Sequence, residues 1–450
     1  MKRLNILFAM HFEPGHHVGT FRLAKQLQSR GHEIAYLGIP ELRELVENQG
    51  FKFVPFAEDL LPPGYKDKTI ECKNTFLSWW RKRRHAEAAF SEYLNKITDG
   101  TLDKCLLSSK ADVLLCDCLL SYVAVRALSL GIPVINIFTS LFFHDNPDIP
   151  PVTMPIQPED SVLSRIKVLV AWKLMRLKFL FTKRLGSLIT GRYRSPVTMH
   201  HLVGVHLRIA RKSGYRCEKN RTYWLNEIGI HLALPEIALC TKAFQFPGKL
   251  SDKRLYLGDF VDFERREDPS QIKIEKKPVI YCSLGTSASS YPDTDRFFQA
   301  IVEASKLKRE WQFILHISDM NKIKNYKSSQ NLLVLNWVPQ LFLLKNASAM
   351  VTHGGLNSIM ECIHFKVPMV IVPCLRDQPG NAARAAYHDI ALTADIKDIE
   401  PYALIKLIEQ AMDSKKIRNG LQEMKDKILA EGGLTESIDL IESLSCGKNI

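Results

Sequence analysis

One pattern, a short apolar strand followed by a helical stretch, recurs along both halves of this chain. It predicts an α/β protein of two doubly wound domains facing across a cleft. Three observations carry the prediction. Strand and helix signals alternate in each half. Gly131-Ile132-Pro133-Val134 and Lys366-Val367-Pro368-Met369 echo one another, as two similar sheets would. At 450 residues the chain is also long enough for two domains of ordinary size. A composition of 46% hydrophobic and 24% charged residues excludes a disordered or fibrous chain.

In the first half, residues 5–10 read as a strand, 19–28 as a helix and 33–37 as a strand, with further strands at 51–56, 113–116 and 134–138. In the second half the strands fall at 279–282, 312–316, 332–335, 349–352 and 369–372. Between the halves, residues 258–277 exchange apolar residues for Phe263-Glu264-Arg265-Arg266-Glu267-Asp268-Pro269, and the seam is placed there. The expected domains are 1–257 and 258–429. The apolar run at residues 4–10 is too short to span a membrane and ends in a polar turn, so it reads as the first strand and not as a signal peptide. Ten cysteines show neither metal nor disulfide rhythm, which suits a reducing cytoplasm.

Residues 337–381 carry the most chemistry. The strand Ala349-Met350-Val351-Thr352 stops at His353-Gly354-Gly355, and a helix opens at Asn357-Ser358. Glycines let backbone approach an anion, and first-turn N–H groups with the helix dipole favour negative charge, so this is a phosphate site in outline. Glu361 shares a helical face with Asn357 and Ser358 and is placed for ribose hydroxyls. Trp337 offers a flat face for a base, and Asp377-Gln378 follow the next apolar strand with groups that bind hydroxyls.

The series W-x-P-Q, T-H-x-G-x-N-S-x-x-E, V-P-M-x-x-x-P and D-Q-x-x-N resembles the donor-binding signature of the UDP-glycosyltransferases, whose GT-B fold pairs two Rossmann-like domains. Leu356 departs from the tryptophan usual in plant members and suits the bacterial branch. The resemblance implies that Trp337 stacks on uracil, with the Val338 backbone and Gln340 reaching base and ribose. It further implies that His353, Gly355, Asn357 and Ser358 meet the diphosphate, with Gly285 and Thr286 as a second contact. Glu361 would take the ribose hydroxyls, and Asp377 and Gln378 the transferred sugar, a hexose such as glucose. On the acceptor side, Glu13-Pro14-Gly15-His16-His17 followed by Leu23-Ala24-Lys25 resembles the family segment that bears the catalytic base, which puts the base at His16. Asp117, after the strand at 113–116, matches the family's orienting carboxylate. GT-B relatives also lead one to expect a terminal helix within 430–450 packing back on the first domain.

A UDP-sugar is then a co-substrate, and neither cofactor nor metal is expected. Asp293-Thr294-Asp295 has the D-x-D spelling of metal-dependent transferases, but helix capping explains it. His11, His16 and His17 lack a carboxylate or cysteine at a recognised metal spacing, and no G-x-G-x-x-G follows the first strand.

The net charge of +13 is concentrated. Residues 161–217 hold thirteen lysines and arginines and no carboxylate. Over 162–185 the body is apolar, with Arg165, Lys173, Arg176, Lys183 and Arg184 toward one side and Lys167 and Lys178 on another. Two readings stand: a helix lying on an anionic membrane surface, or helices walling an acceptor pocket with a solvated basic rim. No nucleic-acid reader motif accompanies the charge. The functional expectation is an inverting transferase moving a hexose from a UDP-sugar to a hydroxyl of a hydrophobic or lipid-like acceptor. The rivals are a non-catalytic nucleotide-sugar-binding partner, and an N-acetylglucosaminyl transferase or sugar-nucleotide epimerase of similar fold. A cytoplasmic enzyme, peripheral on the membrane under the first reading, follows.

Overall fold

The structure, a computed structural model, describes residues 2–59, 92–93, 95–141, 146–185, 209, 211, 234–250, 254–288, 291 and 293–444, without the side chains of 178–185. Its framework is two parallel sheets. The first contains β1 (Asn5–Ala9), β2 (Glu33–Gly38), β3 (Lys52–Pro55), β4 (Val113–Asp117), β5 (Val134–Phe138), β6 (Glu236–Ala238) and β7 (Arg254–Tyr256), in the order β3-β2-β1-β4-β5-β6-β7. The second contains β8 (Val279–Ser283), β9 (Gln312–His316), β10 (Leu332–Leu335), β11 (Ala349–Thr352), β12 (Met369–Ile371) and β13 (Ala391–Thr393), in the order β10-β9-β8-β11-β12-β13. Strands β4, β8, β9 and β11 are buried at every position. They read as unbroken apolar runs because helices cover both faces of a parallel sheet.

In each sheet the strand order reverses at one place, between β1 and β4 in the first and between β8 and β11 in the second. Ligands of open α/β sheets bind outside the carboxyl ends of the strands at such a switch point. His16 follows β1 and Asp117 ends β4, while Gly285 follows β8 and His353 follows β11. The fold thus brings the acceptor-side and donor-side candidates to the two equivalent positions.

Three strands escaped the sequence reading: β6, β7 and β13, each three residues long. They are too short for a periodicity to declare itself. The helix Leu434–Leu444 packs on β7 and on the helix Phe21–Ser29. Arg30 reaches Asp439 and Glu442, and His32 Nε2 lies 2.9 Å from Glu442. The helix Val162–Leu185 forms within the basic segment; the side chains of Lys178, Lys183 and Arg184, and most of 186–217, lie outside the described residues. Among the described residues no helix is long and apolar enough to cross a membrane.

The two halves touch near the cleft through backbone. Gly380 N–H donates to Val152 C=O at 2.8 Å, and a Cβ at Gly380 would lie 2.1 Å from that oxygen. Beside it, the buried Arg384 donates to Gln245 Oε1. Gly380→Ala should therefore push the 146–153 segment off the helix Gln378–Tyr387, costing about 1–3 kcal/mol as overpacked cores do. Thermal unfolding checks this; an unchanged midpoint would mean that the contact is not held in solution.

Candidate functional site

Asp117 is the last residue of β4 and is 0% exposed. Its Oδ1 accepts from Leu119 N–H at 2.9 Å, and its Oδ2 accepts from His11 N–H at 3.3 Å and lies 2.6 Å from His16 Nδ1. Burial pushes the carboxyl upward, but the His16 imidazole beside it, His11 and the amide at 119 outweigh that and hold it below the ordinary range. The ionised acid can only accept, so Nδ1 of His16 carries a hydrogen, and in the neutral ring the lone pair is on Nε2. Thr139 Oγ1, just past β5, lies 2.8 Å from the same Nδ1. Burial would depress His16; the charge and hydrogen bond of Asp117, with Glu13, overcome it and raise the imidazole above its ordinary value.

His16 sits on the short helix Pro14–Val18. That helix is tied to the second domain twice. Asn357 Nδ2 donates to Gly15 C=O at 2.8 Å, and Arg376 Nη1 donates to both oxygens of Glu13 at 2.8 Å. His16 and the start of the helix Leu356–Phe365 thus lie on facing walls of one cleft.

On the donor side, His353 follows β11, and its ring lies between two glycines. A Cβ on Gly285 would fall 2.6 Å from the ring and one on Gly355 2.7 Å. At Gly285 (φ +76°) and Gly354 (φ +84°) the backbone is left-handed, which glycine adopts without strain. Burial drives His353 down to about 4, so the ring is neutral at pH 7. Thr286 is exposed on the turn after β8, beside Gly285. Trp337 is 55% exposed, unusual for a tryptophan, and Val338 behind it is buried.

Two expected donor residues are engaged inside the fold. Glu361 is 1% exposed, with Arg265 Nη1 on one oxygen and Gln340 Nε2 on the other. Gln340 also accepts from Tyr281 Oη and donates to Ser358 Oγ. Arg265 is braced by Glu267, whose carboxylate takes the N–H groups of Leu341 and Phe342. Each oxygen of Glu361 thus already accepts one bond from this network. Gln378 is engaged in the same way. It is 2% exposed, its Oε1 accepts from the Cys374 and Leu375 N–H groups, and its Nε2 donates to Tyr291. It braces the turn after β12. Its neighbour Asp377 is half-buried beside Arg376, with Oδ2 accepting from Asn381 at 3.1 Å. Burial raises its carboxyl.

The second half of the chain matches one family directly: the model for UDP-glucoronosyl and UDP-glucosyl transferase covers residues 241–425. Over 94% of its length the chain is 20% identical to 92% of the zeaxanthin glucosyltransferase of Pantoea ananas. It is 28% identical, over 46% of its length, to 52% of the NDP-glycosyltransferase YjiC of Bacillus licheniformis. Residues 241–425 form a UDP-glycosyltransferase domain, and the relatives along the rest of the chain are glycosyltransferases. Solved structures agree in fold from end to end. The calicheamicin glycosyltransferase CalG4 covers 100% of this chain, and 99% of it is covered in turn, at TM-score 0.62 and 18% identity. The glycosyltransferase VinC in complex with dTDP covers 98%, with 99% of it covered, at TM-score 0.62 and 17% identity. The chain is a glycosyltransferase of GT-B architecture.

For this glycosyltransferase the remaining candidates sort by position. Asp293 holds the N-cap position of the helix Thr294–Leu307, but its side chain makes no capping hydrogen bond, and Asp295 pairs with Lys322 at 3.1 Å. Capping therefore does not account for the D-x-D spelling; the Lys322 ion pair accounts for its second member. Of the three histidines, two stand together, and the carboxylate that the sequence spacing did not supply is Glu13. His17 is buried against Tyr36, and Glu13 joins His11 and His16, with one ligand-type atom of each within 4.8 Å of the others. A cation is the chemistry such a trio could hold, but Glu13 already has both oxygens on Arg376.

Sequence reasoning missed Thr139, Arg376, Glu13 and Arg265. Arg265 and Glu267 were in view only as part of a charged seam. The Glu13–Arg376 pair, 363 residues apart, has no local signal.

Removing the Asp117 charge leaves burial as the dominant influence on His16. In an NMR titration, the wild-type imidazole should titrate above its ordinary value of about 6.5, and that of Asp117→Asn below it. Equal titration in the two proteins would show that the carboxylate does not govern the ring.

Proposed function

We propose that this enzyme transfers glucose from UDP-glucose to a hydroxyl of a hydrophobic small molecule or lipid-like acceptor, by single displacement with inversion. The observation that carries the reading is the contact of 2.6 Å between His16 and an ionised, buried Asp117, on the wall facing the start of the helix Leu356–Phe365. The acceptor O–H gives its proton to His16 Nε2 while its oxygen bonds to the anomeric carbon. The bond from that carbon to the β-phosphate oxygen breaks, and UDP leaves with the electron pair. Asp117 holds the ring in the required tautomer and offsets the imidazolium charge, the logic of hydrolase triads.

The N–H groups at the start of the helix Leu356–Phe365, Gly285 and Thr286, and the neutral His353 would stabilise the developing charge on the diphosphate. No metal and no organic cofactor is required by these steps. Exposed Trp337 would stack on uracil, with Val338 and Gln340 behind it, and Asp377 would take a sugar hydroxyl. The similarity to a zeaxanthin glucosyltransferase along most of both chains supports glucose and a hydrophobic alcohol.

A His16→Ala enzyme should bind UDP as the wild type does and lose about 10²–10⁴ in kcat, the usual worth of a positioned base. UDP release and product mass, followed with UDP- and TDP-sugars against pooled hydrophobic alcohols, test base, donor and acceptor together. An undiminished kcat in His16→Ala would remove the imidazole from the mechanism. Turnover with another sugar nucleotide but not with UDP-glucose would replace the donor.

A further inference from the structure

The helix Val162–Leu185 presents two unlike faces. Inward, Ser164, Val168, Ala171 and Trp172 are buried, and the Trp172 indole N–H donates to the carbonyls of Asn146 and Ile149 at 3.0 Å. Outward, Leu163, Ile166, Leu169, Val170, Leu174 and Leu177 are each between 45% and 71% exposed. At 100° per residue, these six side chains occupy a sector of about 140°. A water-facing helix side is ordinarily polar, and a contiguous apolar patch of this kind marks an interaction surface.

Charge identifies the partner. Arg165 and Arg176 stand at one margin of the apolar sector, Lys167 at the other, and exposed Lys173 lies within it. Residues 161–217 contain no carboxylate, and Arg165 approaches Asp148, upstream of the segment, only at 3.9 Å. An apolar centre with long basic side chains at both margins matches a bilayer surface, where the centre enters the acyl boundary and the ammonium and guanidinium groups reach anionic headgroups. A protein partner would need a groove that is apolar within and acidic at both rims.

The position matters for catalysis. Trp172 holds the chain at 146–149, and Val152, three residues on, accepts the Gly380 N–H that opens the helix after Asp377. One layer of chain separates the outward face from the turn that holds Asp377. We propose that this face seats the enzyme on an anionic bilayer, so that the acceptor hydroxyl is collected from the membrane and not from solution. The proposal rests on the reading of the acceptor as a lipid-soluble alcohol.

Full-length protein sedimented with vesicles of phosphatidylcholine alone, or of phosphatidylcholine with phosphatidylglycerol, tests it. The expected result is retention on the anionic vesicles and little on the neutral ones. Leu163→Gln/Ile166→Gln/Val170→Gln should weaken retention by about tenfold or more without lowering the melting temperature, since those side chains face outward. Arg165→Gln/Lys167→Gln should lose the preference for phosphatidylglycerol. Transfer to an acceptor embedded in vesicles should fall in the triple variant, while transfer to the same acceptor in detergent micelles should not. Wild-type protein left in the supernatant with both vesicles would overturn the proposal. So would a dimer that the triple variant dissociates, which would assign the face to a second copy of the chain. Retention on vesicles without UDP release in either delivery would support the docking and remove the acceptor reading instead.

Discussion

A carboxylate sealed at the end of a parallel strand must be paired or it does not stay charged. Asp117 meets that requirement with two backbone N–H groups and the His16 ring, and the consequences run through the first domain. The ionised acid selects the ring's tautomer and raises the basicity of an imidazole that burial alone would make a poor proton acceptor. Neighbouring His11 shows the contrast. It lies within 5.0 Å of His16, ring centre to ring centre, but no carboxylate dominates its surroundings, and burial takes it down to about 3.

The second domain answers with uncharged parts. A strand that ends at glycines, a helix start and a neutral imidazole provide the N–H groups that the proposed diphosphate would meet. Asn357 joins the two systems. It stands in the first turn of the anion-facing helix and at the same time holds the Gly15 carbonyl, one residue before His16. A ligand drawn to that helix start therefore acts on the loop that carries the imidazole, and Glu13 with Arg376 closes the same gap a few residues away.

Much of this was legible in the chain. The strands at 312–316 and 349–352 coincide with the stretches read for them and are buried at every position, while the edge strand 332–335 is legible because all four of its residues are apolar, although alternate positions are only partly buried. The donor segment was legible because its residues are contiguous. His16 and Asp117, 101 residues apart, were joined only through the family resemblance. What the sequence did not show is the long-range partners of these residues. Gln378 had the spelling of a sugar ligand, but Tyr291 and the turn after β12 claim its amide. Glu361 was expected to be open to ribose, but Arg265 from the linker occupies it. Local pattern indicates which groups are polar and which face they share. It does not indicate which distant residue reaches them first.

In the proposed mechanism one imidazole removes the acceptor proton while the acceptor oxygen attacks the anomeric carbon from the side opposite the diphosphate. The anomeric configuration of the purified product, read from its proton NMR coupling, tests this most directly. Starting from the α-linked sugar of UDP-glucose, the arrangement of His16 opposite the donor helix requires a β-glucoside. An α-glucoside would mean retention and would contradict the single displacement on which the roles of His16 and Asp117 rest.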